Sequence, residues 1–277
     1  MKIALLQMTS SKVPEDNLSA LLSYAAKAAE KGGKVIFSPE CSNIMDMNRE
    51  TVLAHTQPEE QDMMVAAVKD FCRQHHVTFF LGSVVVKVAD DRLANRSLVI
   101  GPAGQVIARY DKMHLFDVDL PNGESYRESR LYQGGDQAVI AALADTQVGL
   151  SVCYDVRFPY LYRHLATAGA TILTVPAAFT VPTGQAHWHV LLRARAIETG
   201  SFVIAAAQCG MHETGRATYG HSLVVNPWGQ VLLDAGGDID NPEAGVHMVD
   251  IDLAEVTKAR QKIPSLMHTR RIPDNFI

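Results

Sequence analysis

Short apolar runs and helix-period segments alternate along the chain to about residue 207, and no other feature limits the possible folds so tightly. Such a rhythm requires a sheet with helices laid against it. Residues 2–8 read as a buried strand, and Pro14-Glu15-Asp16-Asn17 as a turn and helix start with early negative charge. Leu18, Leu21, Leu22, Ala25, Ala26 and Ala29 recur at helical spacing until Gly32-Gly33 ends the pattern. Residues 34–37 are a second short strand, terminated by Ser38-Pro39-Glu40. From about 58 to 75 a helix carries Met64, Val65, Val68, Phe71 and Cys72 as its stripe, and residues 77–88 are β-branched and aromatic, hence strand. Strands are likewise expected over 148–152, 171–175 and 202–207, and helices over 158–168 and 187–199.

Two hairpins interrupt the alternation. Residues 97–100 and 106–110 flank Gly101-Pro102-Ala103-Gly104, while 222–225 and 230–233 flank Asn226-Pro227-Trp228-Gly229, turns with related N/G-P-x-G chemistry. A strand over 246–251 and a helix over 253–262 follow. Residues 114–136 are polar and aperiodic and read as a long surface loop, the kind that is usually functional. No linker, low-complexity stretch or fixed-period repeat divides the chain, so one domain over 1–277 with a mixed sheet system is expected.

At 277 residues, 47% hydrophobic and 20% charged, the chain is neither disordered, collagen-like nor a coiled coil. A formal charge of −5 without a long run of like charge argues against nucleic-acid binding. The apolar run before Gln7 is too short for a signal-peptide core, and no stretch approaches a membrane span, so a cytoplasmic protein is expected. Cys41, Cys72, Cys153 and Cys209 form no C-x-x-C pair and read as reduced thiols. The Asn-x-Ser/Thr matches at Asn17 and Asn95 would matter only in a secreted protein.

Cys153 stands directly after the 148–152 strand and before a helix start at Tyr154-Asp155-Val156-Arg157-Phe158-Pro159, the position of a nucleophile elbow, where backbone N–H groups point at a nascent oxyanion. As an isolated residue it reads equally as a small buried hydrophobe. The thiol needs a partner to ionise. No papain-type signature surrounds it. His164 and His187 lie on expected helices without a motif, and His75-His76 and His212-Glu213 lack metal-ligand spacing, so these read as surface or packing residues and no metal is expected. Glu40 and Lys112 leave the ends of strands, where α/β folds gather functional groups. Taken singly, each also reads as a solvated charge, as do Glu124 and Glu128 in the long loop.

Together, Glu40, Lys112 and Cys153 resemble the Glu-Lys-Cys triad of the nitrilase superfamily of carbon-nitrogen hydrolases. Ser-Pro-Glu-Cys at 38–41, Arg-Tyr-Asp-Lys-Met-His-Leu-Phe-Asp at 109–117 and Gly-Leu-Ser-Val-Cys-Tyr-Asp-Val-Arg-Phe-Pro at 149–159 are similar to its blocks, in order. Ala186-His187-Trp188, the 191–198 segment, Tyr219-Gly220-His221-Ser222 and Asn226-Pro227-Trp228-Gly229 extend the resemblance over nearly the whole chain. Ser38 departs from it, standing where an apolar residue is more usual, as does Tyr132-Gln133-Gly134-Gly135, where Pro-Gly is common.

The resemblance implies an α/β fold, a four-layer α-β-β-α sandwich of two mixed sheets. It also implies Glu40 as general base, Cys153 as nucleophile, Lys112 with the Tyr154 N–H as oxyanion stabiliser, and Glu128 beside the lysine. It requires no metal or organic cofactor and implies a homodimer or larger homo-oligomer. Within the superfamily, Cys-Tyr-Asp-x-Arg-Phe-Pro, Gly-x-Ala-His-Trp and the 205–210 segment look most like the deaminated glutathione amidase branch, which implies a small amide substrate cleaved to 2-oxoglutarate and cysteinylglycine. An omega-amidase acting on 2-oxoglutaramate and an N-carbamoyl amine hydrolase are the alternatives. The substrate's carboxylates call for cations, with Arg157, Arg127 and Arg195 as candidates, although Arg193 and Arg195 read equally as structural ion-pair partners. A non-catalytic scaffold would be expected to have lost a triad member, and all three are present.

Overall fold

The computed structural model describes residues 1–120, 123–237 and 242–271. Two six-stranded sheets dominate. The first runs Gly245–Asp250, Lys2–Gln7, Val35–Phe37, Thr78–Ala89, Arg92–Ile100, Val106–Asp111. The second runs Ile140–Leu143, Thr146–Gly149, Ile172–Thr174, Phe202–Ala205, Leu223–Val225, Val231–Asp234. Read in these orders, each begins with an antiparallel pair, continues through two parallel pairs and ends in two antiparallel pairs. The related Gly101-Pro102 and Asn226-Pro227 turns close the last hairpin of each sheet.

Strand alternation sorts the side chains into layers. Ile3, Leu5, Val35 and Phe37 share a core with Val148, Leu150, Ile172 and Val203 of the second sheet. Ala4, Leu6, Ile36, Phe79 and Leu81 face the other way, toward Leu21, Ala25 and Ala28 of the Pro14–Glu30 helix and Met64, Val65, Val68 and Cys72 of the Met63–His75 helix. Pro159–Thr167 and His189–Thr199 bury Leu161, Leu165, Leu192 and Ala196 against the second sheet. The result is the four-layer α-β-β-α sandwich.

Local chemistry sets the helix ends. Pro14 opens the first helix with Glu15 and Asp16 in its first turn, and Gly32 leaves it at φ +82°. Asp62 caps the Met63–His75 helix by accepting from the Val65 N–H at 2.9 Å, and His76 closes it in the left-handed region. His75 stacks on Phe71, a packing role.

Where sequence and structure differ, polar residues hide the pattern. The strand expected over 97–100 begins at Arg92, because Asn95 and Arg96 point to buried polar partners. The long loop contains a small ribbon, Asp117–Asp119 against Ser125–Arg127, whose two three-residue strands, each with one apolar residue, are too short to show a period. The strand expected over 148–152 is Thr146–Gly149, paired with Ile140–Leu143, and the helix expected over 187–199 starts with a π-helical turn, Gly184–Trp188. Helix Arg49–His55, capped by Asn48, has too little apolar stripe to be seen in advance.

Candidate active site

The carboxyl ends of parallel strands from both sheets meet at one edge, where Met8 bridges to Gln208 and Ala177 to Ala207. Glu40 leaves the Val35–Phe37 strand there. Its turn is fixed from three sides: Ser38 Oγ accepts from the Gly82 N–H at 3.1 Å, Ser42 Oγ donates to Ser38 Oγ at 3.0 Å and to the Pro39 carbonyl at 2.8 Å, and Gln208 Nε2 donates to the Glu40 carbonyl at 2.9 Å. Ser38 thus uses its hydroxyl as a brace in a fully buried turn. Gly82 is required by close approach, since a Cβ there would stand 1.9 Å from the Ser38 carbonyl oxygen.

The Glu40 carboxylate, 4% exposed, accepts from the Ala178 N–H at 2.9 Å on one oxygen, and from Asn95 Nδ2 at 2.9 Å and Lys112 Nζ at 3.0 Å on the other. Lys112 Nζ also donates to both oxygens of Glu128, at 3.1 and 2.9 Å. The Phe116 N–H holds Glu128 in turn, at 2.6 Å. Glu124 instead accepts from the Tyr126 hydroxyl at 2.7 Å. Burial works against both charges, but Lys112 and the hydrogen bonds hold Glu40 below the usual carboxylate value, and Glu128 and Glu40 hold Lys112 well above the usual lysine value.

Cys153 sits on the other side of the junction at φ +50°, with its N–H donating to the Pro176 carbonyl at 2.9 Å. A non-glycine residue in the left-handed region is strained, as at a nucleophile elbow. Asp155, fully buried, ties the elbow down: it accepts from the Val152 N–H at 2.8 Å, the Tyr110 hydroxyl at 2.7 Å and the His114 N–H at 3.0 Å. The Cys153 thiol lies beside Glu40, close enough for each group to shift the other's titration. Burial, then the Glu40 charge, pushes the thiol well above its ordinary value, so at rest the proton stays on sulfur. A protonated thiol beside an ionised, lysine-backed carboxylate is the starting arrangement for base-assisted attack.

Residues 2–261 match the carbon-nitrogen hydrolase family. The chain belongs to that family. It is 37% identical over 276 residues to a deaminated glutathione amidase of Dictyostelium discoideum, covering 97% of this chain and 94% of that protein. The crystal structure of the C. elegans NitFhit protein superposes with a TM-score of 0.88 at 34% identity, over 97% of this chain and 65% of that one. A mutant of the amidase from Nesterenkonia sp. AN1, showing the Michael addition of acrylamide at its active-site cysteine, has a TM-score of 0.78 at 26% identity and covers 95% of this chain and 98% of that one.

In this carbon-nitrogen hydrolase, Glu40, Lys112 and Glu128 line an open cavity of about 160 Å³. Cys153 is not among the lining residues; it is 7% exposed and lies beside Glu40, which is. Tyr154 packs edge-on against Phe116 and Phe158. Arg157 lies over the rings of Tyr154 and Phe179 and reaches His187 at 3.3 Å, beside the cavity but outside its lining. Arg127 lines the cavity and is paired with Asp119 through two hydrogen bonds of 2.8 and 2.9 Å. Arg195 donates to the Val156 carbonyl and pairs with Glu198, and Arg193 donates to the Gly229 carbonyl, so both brace the scaffold. His212 is buried between the Ser10 carbonyl and the Thr218 hydroxyl.

Three contributors to the site of this hydrolase escape sequence reasoning: Asn95, Asp155 and Arg216. Asn95 carries a glycosylation-type triplet, yet its side chain is inside the site, against Glu40 and within 3.4 Å of Glu128. It opens a polar run, Asn95-Arg96-Ser97, inside a strand that is otherwise apolar after Arg92, and that run was the available signal. Among the described residues, the one trio of groups close enough to hold a metal is His189, His221 and Asp234, outside the cavity lining.

Proposed function

We propose that this hydrolase cleaves an amide through a thioester on Cys153, with deaminated glutathione as substrate. The observation that carries the mechanism is the Glu40 carboxylate, bound by Lys112, Asn95 and the Ala178 N–H, with the Cys153 thiol beside it and raised by burial and by the Glu40 charge. Sulfur attacks the amide carbonyl as Glu40 takes its proton. Lys112 and the Tyr154 N–H bear the oxyanion, and Glu128 keeps the ammonium in place. The C–N bond breaks as Glu40 returns the proton to the leaving amine. Water then loses a proton to Glu40, attacks the thioester and releases the carboxylic acid, restoring the thiol. No step calls on a metal or organic cofactor.

The names of the relatives support the substrate, which would yield 2-oxoglutarate and cysteinylglycine. One domain carries the whole reaction in this reading, and the unpaired thiols suit the reducing cytoplasm. We further propose a homodimer through the His189–Thr199 helix, where Val190 is 67% and Ile197 52% exposed on one face, with Trp228 beside them at 58%.

Purified protein and its Cys153→Ala variant, incubated with deaminated glutathione, test the reading directly. Cys153-dependent release of both products is expected. Release of neither from the wild type overturns the substrate, and equal release from the variant overturns the nucleophile.

A further inference from the structure

Arg216 lies between the short strands Cys209–Met211 and Ala217–Tyr219, and it lines the cavity. The other cations of the lining are committed: Lys112 is shared by Glu40 and Glu128, and Arg127 is paired with Asp119. Among the described residues Arg216 has no carboxylate partner. Its Nη2 donates to the Ala178 carbonyl at 2.5 Å, its Nη1 meets only the Met45 sulfur at 3.8 Å, and its Nε is buried without any acceptor. The guanidinium lies 5.4 Å from the centre of the Tyr126 ring, which supports its face.

A charged fork held this way has more donors than its scaffold uses. Burying an ionised donor without an acceptor is costly, so a purely structural tether to one carbonyl would be met by a neutral side chain. The position adds meaning to the chemistry. Ala178 donates its N–H to Glu40 and accepts Arg216 on its carbonyl, so a single residue separates the proton-transferring carboxylate from the free cation. A ligand group that matches a planar guanidinium is a carboxylate.

We propose that Arg216 receives a carboxylate of the amide substrate and thereby selects anionic amides. This rests on the amidase reading above. Deaminated glutathione carries a carboxylate at each end, one beside the 2-oxo group of the acyl part and one on the glycine of the leaving amine. Arg216 engages one of the two.

The test compares deaminated glutathione with two analogues, 4-oxopentanoyl-cysteinylglycine, which has a methyl group in place of the acyl-side carboxylate, and the C-terminal amide of deaminated glutathione. In Arg216→Gln, the wild-type preference for the substrate over one analogue, read as a ratio of kcat/KM, is expected to fall by about 10- to 100-fold, the worth of a charge-assisted hydrogen bond. The analogue concerned tells which end is held. Arg216→Lys restores part of the preference, because it keeps the charge without the fork. A uniform loss on all three compounds, with both ratios unchanged, would mark a structural residue and overturn the proposal. Calorimetric binding of 2-oxoglutarate and of cysteinylglycine to Cys153→Ala protein, with and without Arg216→Gln, separates this from the amidase reading. If no amide is turned over but Arg216→Gln weakens one of these ions at least about 10-fold, the substrate assignment fails and the Arg216 subsite stands. Equal affinities, or binding of neither ion, overturn the subsite.

Discussion

Glu40, Lys112 and Glu128 form a line of alternating buried charge whose middle member is surrounded almost entirely by oxygen. Lys112→Ala would leave two carboxylates facing each other without a cation. We expect it to slow acylation by about 10²–10³-fold, as for removal of an oxyanion donor, and to destabilise the fold by about 3–5 kcal/mol. Single-turnover kinetics and denaturant unfolding measure the two effects; wild-type acylation in a folded Lys112→Ala protein would end Lys112's proposed role. His212 makes a different statement. Burial, and then Arg216, push its imidazole down to about 4. Its stabilising effect is therefore complete above the unfolded value near 6.5 and is lost as pH falls toward 4, a loss of about 3 kcal/mol. Urea unfolding at pH 7 and pH 4 should show the wild type losing about that much more than His212→Gln, and equal losses would refute it. At this scale Glu40, Lys112 and Cys153 are legible as residues near the ends of strands, each ambiguous alone and singled out together by their resemblance to a known triad. The sequence conceals the site roles of Asn95, Asp155 and Arg216, whose partners Glu40, Tyr110 and Ala178 lie 55, 45 and 38 residues away.

The turn that presents Glu40 depends on a neighbouring strand as much as on its own residues. Gly82 sits where the register of Thr78–Ala89 against Arg92–Ile100 shifts, and the Ser38-Pro39-Glu40 backbone passes directly over it. Gly82→Ala must move that backbone, so we expect kcat to fall by about 100-fold, the effect of misplacing a reacting group by about 1 Å, with a destabilisation of about 1–3 kcal/mol. A folded Gly82→Ala protein with wild-type kcat would show that the turn tolerates the shift. The elements themselves are well marked in the sequence wherever one face is apolar, as in the Pro14–Glu30 and Met63–His75 helices. The Asp117–Asp119 and Ser125–Arg127 ribbon is not, because its strands are three residues long with a single apolar residue each; yet it leads directly into Glu128, and so the aperiodic stretch holds an organised wall of the cavity.

Across the whole molecule, the two sheets repeat one pairing scheme, and the related proline turns stand at equivalent places in both. The sequence carries only those turns as a sign of it, since the scheme resides in backbone pairing. The two helical layers are not equivalent at their surfaces. Val190, Ile197 and Trp228 expose large apolar groups together on the layer of the second sheet. Light scattering is expected to give a dimer for the wild type and a monomer for Val190→Glu/Trp228→Glu; an unchanged dimer would place the interface elsewhere.

The first sheet takes its edge strand, Gly245–Asp250, from the far end of the chain, where it pairs with Lys2–Gln7 along its full length. On the ribosome, the Lys2–Gln7 strand therefore waits for a partner made more than two hundred residues later. Until residue 250 emerges, Ile3-Ala4-Leu5-Leu6 presents an open hydrogen-bonding edge, a template for pairing with other nascent chains. A chain cut after residue 225 but short of residue 245 would keep most of its core residues and the entire active-site sequence yet carry that exposed adhesive border, so aggregation is the expected outcome of such truncation.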